Sequence, residues 1–224
     1  MEENDRENLK IFGHGALKMF VFLALAAAVG GFIYQQVVCS SSPAEVANEN
    51  SPLELVQLAL LLASSLLAGI VAFRRREVRE GYMLVSALLA CMAIRECDSL
   101  FDRALFHGAW LPFALAVAII AVAVALAHRR QALAGIAEIV RSRYYGLLCV
   151  GFSVIFVFSR ILGYKKIWMT IYRDICREEG AAWLHRVIKN ISEEGTELFG
   201  YMLVFAWIVL TFKDALRKDS AGQG

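Results

Sequence analysis

Five charged side chains crowd into the ten positions of "IRECDSLFDR" (94–103): Arg95, Glu96, Asp98, Asp102 and Arg103. A second acidic group opens "ISEEGTELFGY" (191–201) with Glu193, Glu194 and Glu197. Glu54 and Gln57 follow Pro52, and Arg160 closes "FVFSR". Carboxylates gathered in a low-dielectric setting favour a shared proton, a bound cation or an arginine partner. Two or three of them can also hold a divalent ion such as Mg²⁺ or Ca²⁺ beside a substrate.

The spacing sets which of these residues could meet. On an unbroken helix Arg95, Asp98 and Asp102 lie at i, i+3 and i+7 and share a face. Glu96, Ser99 and Arg103 form an adjacent stripe, and Glu193, Glu197 and Tyr201 form one line on a later helix. We therefore expect Asp98 and Asp102 to approach Glu194 or Glu197 across a water-accessible cavity, with Arg95, Arg103 and Arg160 balancing their charge. The competing reading is structural. Acids in a first helical turn suit the helix dipole, Ser192 is a good cap, and Arg95 with Asp98 could neutralise each other. Against it, a charge held below the headgroups costs on the order of 2–3 kcal/mol, and such groups usually face a cavity or one another.

The surroundings of these residues are apolar. The 224 residues are 58% hydrophobic, above the roughly 45–50% of soluble domains, which points to an integral membrane protein. Lys and Arg number 23 against 21 Asp and Glu, a balance that offers nothing to nucleic acid. Six runs are candidate spans: 16–38, 53–73, 81–103, 109–127, 144–164 and 191–212. A span needs about 20 residues for a ~30 Å hydrocarbon core. The third and sixth reach that length only by drawing charges into the outer part of the membrane. The first follows the acid-rich "MEENDRENLK" and is longer than a signal-peptide core, so a retained helix is expected. Ser51-Pro52-Leu53-Glu54 combines a capping box with proline at the first helical position.

Basic residues orient the bundle. Arg6, Lys10 and Lys18 precede or open the first run, "RRREVR" (74–79) carries four, 128–143 carries four more, and the tail adds Lys213, Arg217 and Lys218. Residues 39–52 carry none. Both termini are thus expected on the cytoplasmic side, with a 1–15 segment, one transmembrane domain over 16–212 and a 213–224 tail. The outer segment 165–190 dissents, for it holds Lys165, Lys166, Arg173 and Arg177 among aromatics. Its apolar spacing predicts two amphipathic helices, either on anionic lipid or packed as a lid.

The five cysteines contain no CxxC pair, which removes thioredoxin-like and zinc-knuckle chemistry. Cys39, Cys97 and Cys176 fall on the outer side, where one disulfide is permitted. The four histidines are scattered, and neither HExxH nor a Ser/His/Asp signature occurs. No nucleophile stands out, which favours binding or transport over catalysis.

The stretches "IRECDSLFDRALFHGAW", "FSR" and "NISEEGTELFGY" together resemble an uncharacterised family of bacterial polytopic inner-membrane proteins. Those proteins carry a similar R-E-x-D-x-x-x-D stretch followed by His-Gly-x-Trp, and a late E-E-G-x-E-L-x-G-Y. The resemblance covers about residues 50–212 and implies a bacterial inner membrane and one site containing Glu96, Asp98, Asp102, Glu193, Glu194 and Glu197. It attaches no activity.

The expectation is an all-α integral membrane bundle of about six transmembrane helices, with amphipathic surface helices between the fifth and sixth. Its periplasm-facing cavity would bind or transport a cation, a proton or an anionic lipid head group. A carboxylate-metal enzyme acting on lipid and an accessory subunit of a membrane complex are the alternatives. No cofactor is identified beyond a candidate divalent cation. Membrane lipids, and other membrane proteins, are the candidate partners.

Overall fold

The computed structural model describes the backbone of residues 2–39, 51–175 and 184–221, and the side chains of 12–13, 16–38, 51–171 and 186–217. Every regular element among them is helical: α1 (Glu2–Cys39), α2 (Pro52–Arg74), α3 (Arg79–Glu96), α4 (Asp98–Ala104), α5 (Trp110–Ala127), α6 (Arg129–Arg141), α7 (Tyr145–Leu162), α8 (Lys165–Ile175) and α9 (Leu184–Ala221). A helix satisfies its backbone polar groups internally, which an apolar solvent demands.

Five helices are long and apolar enough to cross a membrane: Ala16–Val38, Pro52–Arg74, Trp110–Ala127, Tyr145–Leu162 and Arg186–Arg217. Multi-pass insertion requires such helices, and their apolar side chains face outward, with Phe73 85% and Leu126 70% exposed. The third expected run does not qualify. It breaks at Cys97, whose backbone leaves the helical region (φ −91°, ψ 13°), into α3 and the seven-residue α4. Arg79, Glu80, Arg95 and Glu96 also sit at the two ends of the 18-residue α3. The charges of "IRECDSLFDR" therefore occupy a helix end and the turn after it.

α2 starts as its sequence directs. Ser51 caps it by accepting the Glu54 N–H at 3.3 Å, with Pro52 next. α3 lies between α2 and α5, and α9 packs against α2 and α7. Leu61, Leu89, Tyr201, Trp207 and Ile208 form the shared core. α2 and α3 are clasped at mid-length, where Ser65 Oγ donates to the Ser86 carbonyl (2.9 Å) and Ser86 Oγ to the Ser65 carbonyl (2.8 Å). Glycines bring other backbones together. A Cβ on Gly81 would lie 2.6 Å from the Gly135 backbone, so only glycine lets α3 and α6 touch. α1 touches the bundle through Val29, Phe32, Ile33 and Val37, which pack on Leu53 and Leu198.

The outer amphipathic segment is partly corrected. α8 is a separate helix with Lys165 and Lys166 exposed, and it packs on α9. The second expected surface helix is continuous with the last span: α9 has 38 residues, about 57 Å of helix. Residues 176–183, with Arg177 and Cys176, and the side chains of Arg173 and Cys39 lie outside the described residues. Cys91, Cys97 and Cys149 are free thiols.

A candidate ion-binding cavity

The N-terminal end of α2, the C-terminal ends of α3 and α7 and the N-terminal half of α9 converge on a cavity of about 350 Å³. Eight of the ten candidate residues line it: Glu54, Arg95, Glu96, Asp98, Arg160, Glu193, Glu194 and Glu197. Trp110, Lys189 and Asn190 complete the wall.

Glu197 is the hub. It is 1% exposed, and its Oε1 receives the Arg160 guanidinium and the Ser159 hydroxyl (3.2 Å). Arg95 Nη2 approaches its other oxygen at 3.3 Å and also binds Glu96 at 2.7 Å. The buried Tyr201 phenol donates to the same Glu96 oxygen at 2.8 Å. Glu193 pairs with Arg160 and with Lys189, each at 3.1 Å. Hydrogen bonds from charged donors are the strong ones, so the three helices are cross-braced by a continuous network.

Local helix geometry sets this arrangement. Residues Val154–Phe158 of α7 wind as a π-helix, a wider turn that recurs at functional sites. Ser159 and Arg160 follow it directly, and both reach Glu197. Gly163 supplies the room beyond: a Cβ there would lie 2.5 Å from the Glu193 carboxyl carbon.

Glu194 differs from its neighbours. Its carboxylate accepts the Gln57 side-chain amide at 3.0 Å, and the same amide nitrogen donates to its backbone carbonyl at 2.8 Å. Gln57 is fully buried, and its Oε1 has no donor among the described residues. Arg95 interacts with Glu194 electrostatically without pairing to it. A carboxylate and a carbonyl oxygen thus stand together, held by a neutral donor.

The expected approach of Asp102 to α9 is corrected, while Asp98 shares the cavity with Glu194, Glu197 and Arg160. Glu96, one residue before the break at Cys97, contacts α9 through the Tyr201 hydroxyl. Asp98 is exposed at the cavity rim, where its carboxylate accepts the Ser99 N–H at 2.5 Å. Asp102, on α4, turns away toward the segment that follows that helix and accepts the Gly108 N–H (2.8 Å) and a contact from His107 Nδ1 (2.6 Å). Gly108 makes the turn of that segment possible with a φ of 80°. The Gly108 N–H, followed by His107, holds the Asp102 carboxyl below its ordinary range. Arg103 is exposed on α4 and does not line the cavity. Both stripes drawn on an unbroken helix fail because the break resets the helical phase.

Sequence reasoning missed Ser159, Lys189, Asn190 and Trp110. Lys189 carried a signal, being four residues before Glu193. Ser159 carried none, since its role depends on the π-turn. Among the described residues no three His, Cys, Asp or Glu side chains converge as a metal site. The carboxylates are drawn toward arginine and lysine instead.

No family model, curated protein or solved structure matches this chain.

Proposed function

We propose that this is a multi-pass bacterial inner-membrane protein whose cavity binds or transports a proton or a monovalent cation from the periplasmic side. Six traversals are part of this reading: α3, at 18 residues or about 27 Å, packs between α2 and α5, both of which are long and apolar enough to span. The arginine-rich segments 74–79 and 128–143 then lie together at the opposite end, on the cytoplasmic side with both termini. The R-E-x-D and E-E-G-x-E-L-x-G-Y stretches would be two walls of one site.

One observation carries the choice of ligand: Glu194 lines the cavity with its carboxylate held by the neutral Gln57 amide, where its neighbours Glu193 and Glu197 are held by cations. Six carboxylates line the cavity (Glu54, Glu96, Asp98, Glu193, Glu194, Glu197) against three cations (Arg95, Arg160, Lys189). That excess of three negative charges favours a cation over an anionic head group. Arginine and lysine compete with a divalent ion for Glu96, Glu193 and Glu197, which disfavours the metal-enzyme reading.

The test is flux in proteoliposomes under proton, Na⁺ or K⁺ gradients. We expect Glu194→Gln to lower the responsive flux at least about tenfold, one hydrogen bond or ion contact to a charged group. Gly163→Ala should lower it less, by displacing Glu193 from Arg160. A flux equal in wild type and Glu194→Gln, with both proteins folded, would overturn the proposal.

A further inference from the structure

A second cavity, of about 530 Å³, opens at the other end of the bundle between the end of α2, the start of α3, α6 and the last turns of α9. Its charge balance is the reverse of the first. Arg75 pairs with Glu138, and Arg143 chelates both oxygens of Asp214 at 3.0 Å. Arg141 also lines the cavity, and among the described residues no carboxylate pairs with it. Three guanidinium groups against two carboxylates leave a surplus of one positive charge.

The hydroxyl of Thr211 supplies the second, independent observation. Threonines in helices ordinarily bond back to the carbonyl four residues earlier, as Thr170 does to Lys166 and Thr196 to Ser192. Thr211 lines the cavity, is 8% exposed, and its Oγ1 has no hydrogen-bond partner among the described residues. A buried hydroxyl left unpaired is unfavourable, so an acceptor supplied from outside the chain fits it. The volume suits a molecular head group and exceeds the need of a lone ion.

We propose that this cavity binds a phosphate group, with Arg141 supplying the charge and Thr211 Oγ donating to a phosphate oxygen. Guanidinium and hydroxyl donors match phosphate geometry. The source is either the phosphodiester of an anionic lipid or inorganic phosphate. The proposal is independent of the carboxylate cavity and of what that cavity carries.

The experiment measures inorganic phosphate binding to the detergent-solubilised full chain by titration calorimetry, and lipid retention by native mass spectrometry from phosphatidylglycerol and phosphatidylcholine nanodiscs. Arg141→Gln and Thr211→Val are each expected to weaken binding about tenfold or more, while Thr211→Ser, which keeps the hydroxyl, restores it. Phosphate binding identifies the free ion as a source. Selective retention of phosphatidylglycerol without phosphate binding identifies the lipid. Wild-type protein that binds neither probe would overturn the proposal. So would folded Arg141→Gln and Thr211→Val proteins that bind as wild type does. Should Thr211→Val fail to fold, the exposed Arg141→Gln decides.

Discussion

Glu197, at the carboxylate end, is 1% exposed and gathers Arg95, Arg160 and Ser159 at once. At the arginine end, Arg143 and Asp214 pair through side chains 62% and 33% exposed and, among the described residues, share no other ion pair. The first arrangement is a network in which each group fixes several helices. The second is a set of separate pairs around an open cavity. The exposed Arg143–Asp214 pair contributes little to stability, so beside the half-buried Arg75–Glu138 pair the arginine end needs a further contact. The backbone contact between Gly81 and Gly135 serves that purpose. A buried pair need not stabilise a fold relative to apolar packing, yet removing one partner leaves the other stranded. The two ends should therefore respond differently to equivalent changes.

The largest effect is expected from Gly81→Ala. The new Cβ would meet the Gly135 backbone at 2.6 Å, and backbone cannot rotate aside as a side chain can. A loss of about 3 kcal/mol is expected, seen as an earlier thermal melt in detergent. An unchanged melt would mean that the ion pairs hold the arginine end after all.

A matched pair of neutralisations sharpens the contrast. Glu197→Gln removes the carboxylate that Arg95 and Arg160 share, leaving each with one partner, Glu96 and Glu193, and is expected to cost about 2 kcal/mol. That is below the 3–5 kcal/mol of a fully buried pair, because the two guanidinium side chains are 38% and 43% exposed. Asp214→Asn should cost less than about 1 kcal/mol. Denaturant melts of the two variants provide the comparison, and equal losses would erase the distinction between network and separate pairs.

The smallest effect concerns Asp102, which belongs to neither cavity. Its folded-state carboxyl is held below the ordinary range, first by the Gly108 N–H. The sign follows: its contribution is present above the unfolded value near pH 3.9 and is lost as pH falls through the lower folded value. Amide exchange in residues 102–108 should therefore accelerate only below about pH 4. Asp102→Asn should remove that pH dependence while leaving the melting of the bundle unchanged.

Much of the fold was legible because it depends on local composition. "SPLE" announces the start of α2 through a cap and a proline, and apolar runs mark five helices that can cross a membrane. Eight of ten candidate residues share a cavity because charge placement at helix ends needs no knowledge of packing. The individual pairings were not legible. A 3.6-residue period assigns faces only while a helix continues, and Cys97 interrupts it between Glu96 and Asp98.

Sequence by itself determined an all-helical, apolar chain with its charges segregated toward the helix ends, since hydrophobicity, capping and helix period act over a few residues. Tertiary structure decided which charges meet. The packing of α3 turned Glu96 toward α9, the break at Cys97 left Asp98 at the rim, and Asp102 went to the Gly108 N–H. The π-turn before Ser159 aimed Ser159 and Arg160 at Glu197, while glycines at 81 and 135 set how closely α3 and α6 approach. These outcomes depend on the rotation and separation of helices distant in sequence, and only their packing against one another fixes either quantity.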